Sequence, residues 1–416
     1  MLNTISMIGL GYIGLPTATL FASRKKKVIG VDVNQHAVDT INQGRIHIVE
    51  PELDVLTHKA VVEGYLRATT VPEPADAFLI AVPTPFTDGH KPDLSYIEAA
   101  ARSIAPVLAK GNIVILESTS PVGATETMAR WLAEARPDLS FPQQKGEASD
   151  IRVAHCPERV LPGQVLRELV DNDRIIGGMT PKCAEAAIAL YKTFVAGECI
   201  ATSARTAELC KLTENSFRDV NIAFANELSM ICHTLDVDVW ELIGLANRHP
   251  RVNILQPGCG VGGHCIAVDP WFIIQNAPDD ARLISMARQV NDFKPQWVIE
   301  KVHQAVARVE KETQDVRIVC LGLAFKPNID DLRESPAVEI TKILAESYPG
   351  QVCAVEPHIT ECPASLKQKN VSLKPIPAAL ECADVVVMLV DHTAFTAITA
   401  EQLGNAQVID TKGLWR

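Results

Sequence analysis

Cys265 lies in the run Gln256-Pro-Gly-Cys-Gly-Val-Gly-Gly-His-Cys-Ile-Ala-Val-Asp-Pro270, with glycines at 258, 260, 262 and 263 before it and Asp269 after it. Glycines at this density cost backbone entropy in a helix or strand, so the stretch suits a loop whose main chain approaches something closely. A thiol on such a loop, near a carboxylate, is how a chain presents a nucleophile to a bound ligand. A structural glycine turn with a buried cysteine has the same signature, and the choice between the two depends on what the rest of the chain supplies.

The opening residues supply a redox partner. Thr4–Ile8 reads as a buried strand, Gly9-x-Gly11-x-x-Gly14 follows at once, Leu15–Ser23 is helical, and Val28–Asp32 is a second strand ending in an acid. Strand, glycine turn, helix, strand and acid together form the dinucleotide fingerprint. Gly9 makes the turn, Gly11 admits the pyrophosphate, Gly14 lets helix and strand pack, and the helix N-terminus offers N–H groups to phosphate. Asp32 would accept from ribose hydroxyls and repel a 2′-phosphate, which favours NAD over NADP. Further apolar strands end at Val82 and Glu117, before Pro83-Thr84-Pro85 and Ser118-Thr119. Thr84, Thr119 and Thr125 are therefore candidate cofactor neighbours, or hydroxyls capping the next helix.

Other polar groups are placed by longer elements. The segment 206–235 is predicted as one long helix, with Leu209, Leu212, Val220, Phe224, Leu228 and Ile231 as its apolar surface. Lys211, Asn215 and Arg218 share one stripe of it. Glu158 and Arg159 follow the strand Val153–Cys156, residues 137–150 read as a polar surface loop, and a charged helical segment lies near 296–312. From Val316 the opening plan recurs. Strands 316–321, 352–356, 383–390 and 407–410 echo those ending at Ile8, Asp32, Val82 and Glu117, with a degraded glycine fingerprint and with Lys326 and Arg333 as cations for phosphate. The expected fold is α/β: two Rossmann-like doubly wound domains, 1–200 and 313–416, joined by a central helical region, 201–312.

Composition limits the function. The 416 residues carry a net charge of −11, which argues against a nucleic-acid partner. Eleven cysteines without a C-x-x-C pair fit a reducing compartment better than a disulfide framework or a zinc site, and no metal is expected. No apolar run is long enough for membrane insertion, and the glycines at 9, 11 and 14 separate the apolar start from a signal peptide. The expected location is cytoplasmic.

NAD can oxidise an alcohol to an aldehyde; a thiolate can add to it, and a second hydride transfer then gives a thioester that water opens to a carboxylate. On Gly9-x-Gly11-x-x-Gly14, Pro83-Thr84-Pro85, Glu117-Ser-Thr119, Pro157-Glu158-Arg159, Glu208-x-x-Lys211-x-x-x-Asn215, Gly262-Gly-His-Cys265-x-x-x-Asp269 and Phe325-Lys326-x-x-x-x-Asp-x-Arg333 the chain resembles the UDP-glucose/UDP-mannuronate dehydrogenase family over essentially its whole length. The versions Cys156–Gly163 and Arg251–Gly258 resemble the branch that oxidises N-acetylated sugars.

The resemblance implies Cys265 as nucleophile, Lys211 as acid/base or oxyanion-stabilising group with Asn215, and Glu158, Thr119 and Asp269 positioning water and protons. It implies a UDP-sugar site lined by Arg159, Val160, Lys211, Asn215, Arg218, His249, Arg251, Gly262, Phe325 and Lys326. The implied NAD site adds Tyr12, Ile13, Asp32, Thr84, Thr125 and Arg333 to the glycines 9, 11 and 14. The implied substrate is UDP-N-acetyl-D-mannosamine, with UDP-glucose and UDP-N-acetylglucosamine as alternatives, in a homodimer serving bacterial surface polysaccharide synthesis. Pro162 stands where the UDP-glucose branch has a glutamate, and Cys259 stands where a proline is common. His264 reads as a packing residue rather than the base of a Cys/His pair. A two-electron hydroxyacid dehydrogenase and a non-catalytic nucleotide-sugar-binding regulator are the competing readings; the first needs no cysteine, and the second needs neither Cys265 nor Lys211.

Overall fold

Along Thr4–Ile8, Ile5 and Met7 enter one apolar cluster while Ile8 enters another, as in a strand covered on both faces. The computed structural model describes residues 2–48, 50–160, 163–263 and 265–415, so Pro162 and His264 lie outside the described residues. By internal contacts the chain divides into two units: 1–214 with 271–277, and 215–270 with 278–416.

The first unit is built on strands β1 (Thr4–Ile8), β2 (Lys27–Val31), β3 (Leu66–Thr69) and β4 (Ala77–Ile80), a small hairpin of β5 (Phe86–Thr87) and β6 (Lys91–Pro92), then β7 (Ile113–Leu116), β8 (Arg152–His155), β9 (Arg174–Gly178) and β10 (Cys199–Ser203). Eight of them form one sheet in the order β10-β9-β8-β7-β4-β1-β2-β3. Its pairings are parallel except β8 with β9. The order reverses at β1 and β4, so the loops after these strands flank the crevice where such sheets bind ligands.

The second unit holds β11 (Ile318–Leu321), β12 (Val352–Val355), β13 (Ser372–Leu373), β14 (Val385–Met388) and β15 (Gln407–Asp410), all parallel, in the order β13-β12-β11-β14-β15. β11, β12, β14 and β15 correspond to β1, β2, β4 and β7, so the recurrence expected from sequence is present. β7 is buried along its length, whereas β15 is an edge strand and is partly open.

Three expectations need correction. Residues 137–150 are not a plain polar loop: Leu139 and Phe141 are buried, and Pro142 opens a short helix to Lys145, where a missing N–H costs nothing. The helix expected near 296 begins at Arg282 and runs to Val306 through Pro295. The long helix, Ala204–Thr234, is continuous, but its apolar residues do not form one buried face. Leu212 is buried, whereas Leu209, Phe224 and Ile231 are exposed together with Phe217.

Inside the second unit, Arg288 donates to Asp219, Asn291 donates to the same carboxylate, Asn226 donates to Asn291, and the Asn226 carbonyl accepts from the Gly258 N–H at 2.9 Å. A chain of buried hydrogen bonds thus runs from two helices to the start of the glycine loop. Beside it Lys294 is 2% exposed, its ammonium on the Ser229 hydroxyl and 3.8 Å from the centre of the Trp297 ring. Burial pulls this lysine down from its ordinary 10.5 to about 7. Between those values the unfolded chain binds the proton and the folded chain does not, so this group's contribution to stability rises with pH across that window. Lys294→Met is expected to stabilise the fold at neutral pH by on the order of 2 kcal/mol. Denaturant titrations should show that gain shrinking towards pH 10.5. A gain that grew with pH would contradict this assignment.

Candidate functional site

The turn after β1 has the geometry its glycines require. Gly9 sits at φ +90°, and a Cβ there would lie 2.4 Å from the Ala81 carbonyl oxygen. A Cβ on Gly14 would lie 1.8 Å from the Gly9 carbonyl oxygen, so helix and turn meet backbone to backbone. Gly11 faces open space. Asp32 accepts the N–H groups of Leu10 at 2.8 Å and Asn34 at 2.9 Å, which ties the end of β2 to the glycine turn. Tyr12 is exposed and Ile13 caps the helix Gly14–Ser23. Thr84, just past β4, has a buried hydroxyl without a hydrogen-bond partner. Thr119 is half-buried in the loop after β7, which Ser118 ties to the Val82 backbone.

Thr125 is fully buried, and its hydroxyl donates to Glu208 of the long helix at 2.6 Å. The same carboxylate accepts the N–H groups of Gly123 and Thr125, satisfying the first turn of the helix Ala124–Ala135. This contact fixes the helical turn that carries Lys211. Arg159, four residues past β8, pairs with Glu214 of the same helix at 2.7 Å, and Val160 packs against the apolar cluster. Glu158 is buried and pairs with Arg174 at 3.3 Å.

In the second unit, the Asn215 carboxamide donates to Asp269, so these two expected residues meet. The Cys265 carbonyl accepts the Asp269 N–H at 2.8 Å, which opens the helix Asp269–Asn276. Cys265 is half-buried. The glycines before it come close to the chain itself: a Cβ on Gly262 would lie 2.4 Å from the Glu334 carbonyl oxygen, and one on Gly263 3.0 Å from the Phe325 ring. The Gly263 N–H donates to the Arg333 carbonyl. Phe325 therefore buttresses the cysteine loop, while Lys326 is half-buried and the exposed Arg333 pairs with Asp331. Cys259 is buried, with its thiol on the Leu389 carbonyl and pushed up to about 11 by burial, which suits a packing role. Arg218, on the long helix, is exposed, as are His249 and Arg251, whose loop Asn247 closes through both backbone groups of Ile254.

Two features escaped the sequence reading. Glu356, the counterpart of Asp32, accepts from the Leu323 and Ala324 N–H groups and from buried His392, whose other ring nitrogen accepts the Asn328 N–H. Burial alone would raise this carboxyl, but His392 and the backbone donors outweigh it and hold it below its usual range. The acid that faces a ribose in a dinucleotide fold is committed inward here. The second feature is a buried group around Glu117, at the end of β7, where an acid closing a fully apolar strand was the available signal.

Residues 3–195 match the NAD binding domain of the UDP-glucose/GDP-mannose dehydrogenase family, 205–293 its central domain and 319–416 its UDP binding domain. An NDP-N-acetyl-D-galactosaminuronic acid dehydrogenase of Ralstonia nicotianae is 68% identical over 99% of this chain and 96% of its own. A UDP-N-acetyl-D-mannosamine dehydrogenase of Yersinia pestis is 66% identical over 100% and 99%. The solved structure of UDP-D-ManNAc dehydrogenase from Pyrococcus horikoshii superposes with a TM-score of 0.90 at 40% identity, over 99% of this chain and 96% of that one. Matched along nearly all of its length by the three domains, this chain belongs to the UDP-glucose/GDP-mannose dehydrogenase family.

Proposed function

We propose that this chain oxidises the C6 hydroxyl of UDP-N-acetyl-D-mannosamine to the carboxylate in two NAD-dependent steps, for surface polysaccharide synthesis. The observation that carries the reading is Cys265 on a glycine loop held by Phe325, in a chain whose first domain has an NAD fingerprint.

The first unit fits the cofactor: Gly11 leaves space, the start of the helix Gly14–Ser23 is available to phosphate, Asp32 is the ribose acceptor, and Thr84 has an unused hydroxyl. Bound NAD supplies a hydride acceptor for each of the two oxidations. Gly9, Tyr12, Ile13, Gly14, Thr125 and Arg333 complete the proposed cofactor set. The Cys265 thiolate adds to the C6 aldehyde and keeps it bound as a thiohemiacetal, then as a thioester. Lys211 serves the proton at C6 or the oxyanion, with Asn215 beside it on the helix stripe. Glu158, Thr119 and Asp269 position the water that opens the thioester. Arg159, Val160, Arg218, His249, Arg251, Gly262, Phe325 and Lys326 hold the UDP-sugar.

Phe217, Phe224 and Ile231 are 71%, 50% and 45% exposed and seven residues apart, two helical turns each. An apolar stripe of this kind suits a second copy of the helix, which supports a homodimer. A second substrate reading rests on the Ralstonia relative and gives the sugar the N-acetylgalactosamine configuration.

Rates of NAD reduction across a panel of UDP-sugars should be highest with UDP-N-acetylmannosamine and at least about tenfold lower with UDP-glucose. A preference for UDP-N-acetylgalactosamine would establish the second reading, and a preference for UDP-glucose would remove both. Arg251→Ala is expected to raise KM for the N-acetylated sugar far more than for UDP-glucose, because a guanidinium can donate to the acetamido carbonyl. Equal losses would assign Arg251 to phosphate. Asp32→Ala should weaken NAD binding roughly tenfold or more, the cost of a hydrogen bond to a charged group, and relax the bias against NADP. An unchanged NAD dissociation constant, measured by calorimetry, would place the cofactor elsewhere.

A further inference from the structure

Five titratable side chains meet in the interior of the first unit beside β7, β8 and β9. Glu117, Cys156, Glu158, Arg174 and Tyr191 are each at most 8% exposed. Arg174 pairs with Glu158 at 3.3 Å, donates towards the Cys156 sulfur, and lies 4.8 Å from the centre of the Tyr191 ring. The Tyr191 hydroxyl donates to one Glu117 oxygen at 2.5 Å, while the other Glu117 oxygen is buried without a partner among the described residues. The Arg174 Nε is likewise buried without an acceptor.

Among the described residues of this group there is one cation and two carboxyl groups. A charged Glu117 would have one hydrogen bond and one bare oxygen in an apolar interior, which strongly disfavours that form. Glu158 already has the guanidinium, and its Oε1 accepts the Arg159 N–H at 3.0 Å. We infer that Glu117 is a positioning residue for Glu158: the two carboxyl groups share one proton around Arg174, so that Glu117 stays neutral and leaves the guanidinium to Glu158.

The inference rests on the reading of Glu158 as a group that positions the hydrolytic water. The groups facing Glu117 are Tyr191 from its helix, Arg174 from β9, and Cys156 and Glu158 at the end of β8. Burial is the largest influence on Glu117 and lifts its carboxyl to about 7; Glu158 adds to the rise, whereas Arg174 and Tyr191 oppose it. Above that range a second negative charge competes for Arg174 and loosens Glu158.

Infrared difference spectra of the full-length protein test this without turnover. The carbonyl stretch of a protonated carboxylic acid should be present in the wild type and disappear as pH rises through about 7. It should be absent in Glu117→Gln. In Glu158→Gln it should disappear at lower pH, because Arg174 then turns to Glu117. The kcat ratio of Glu117→Gln to wild type should climb from about pH 6 to about pH 9, because the amide cannot ionise and compete. A wild type with no such band, or a band whose titration ignores Glu158→Gln, would overturn the shared proton. Undiminished turnover by Glu158→Gln would instead remove the catalytic role of Glu158, with the infrared result still deciding the charge sharing.

Discussion

At Gly262 there is no room for one more carbon atom, and at Gly263, with φ +83°, one would press on the Phe325 ring. The backbone there is pressed against the Glu334 carbonyl and the face of Phe325, and Gly260 meets Pro295 and Pro336 in the same way. Any side chain at these positions would push the loop away, and Cys265 would move with it. Close backbone contact is a stiffer constraint than side-chain packing, because no rotamer can relieve it. The neighbouring interactions share this purpose. Asn226 holds the loop at Gly258, and Asn215 holds Asp269 at its far end. A loop rich in glycine, ordinarily the most mobile kind of chain, is thereby fixed at both ends and along its middle.

Charge in the interior follows a second rule: buried ions are matched, and unmatched ones surrender their charge. Arg288 meets Asp219 and Arg174 meets Glu158, while Glu356 is held by the His392 ring N–H and two backbone N–H groups. Among the described residues Lys294 and Glu117 have no ion-pair partner of their own, and burial drives both towards neutrality. The two Rossmann-like sheets differ in the same terms. Asp32 binds its own glycine turn through Leu10 and is only half-buried, whereas Glu356 is closed in by His392. One fold plan, used twice, thus leaves one strand-ending acid half-buried and the other sealed.

Much of this was legible in the residues. β1, the glycine turn, the helix after it and β2 were readable because fingerprint and hydrophobic pattern agree. The repeat of that plan after Val316 was readable from strand order alone. The long helix was readable from the absence of proline and glycine, but not which apolar residues it would bury. Heptad-spaced Phe217, Phe224 and Ile231 carry the same signal whether they face a core or remain open. Helical pattern also failed at Pro295, where tertiary packing carries the helix through a residue that ordinarily ends one. The glycine loop was recognised as a place of close approach, but its neighbour in the chain was not, since Phe325 lies sixty residues beyond Cys265. Arg174 and Tyr191 carried no local signal, because their partners come from other strands and helices.

In the proposed reaction a cysteine keeps the half-oxidised sugar bound between two oxidations. The most direct test is the amount of NADH formed per UDP-sugar consumed, with the product identified in the same reaction. The account predicts a ratio of about two, a carboxylate product and no free aldehyde. A ratio of about one with the aldehyde released would contradict it.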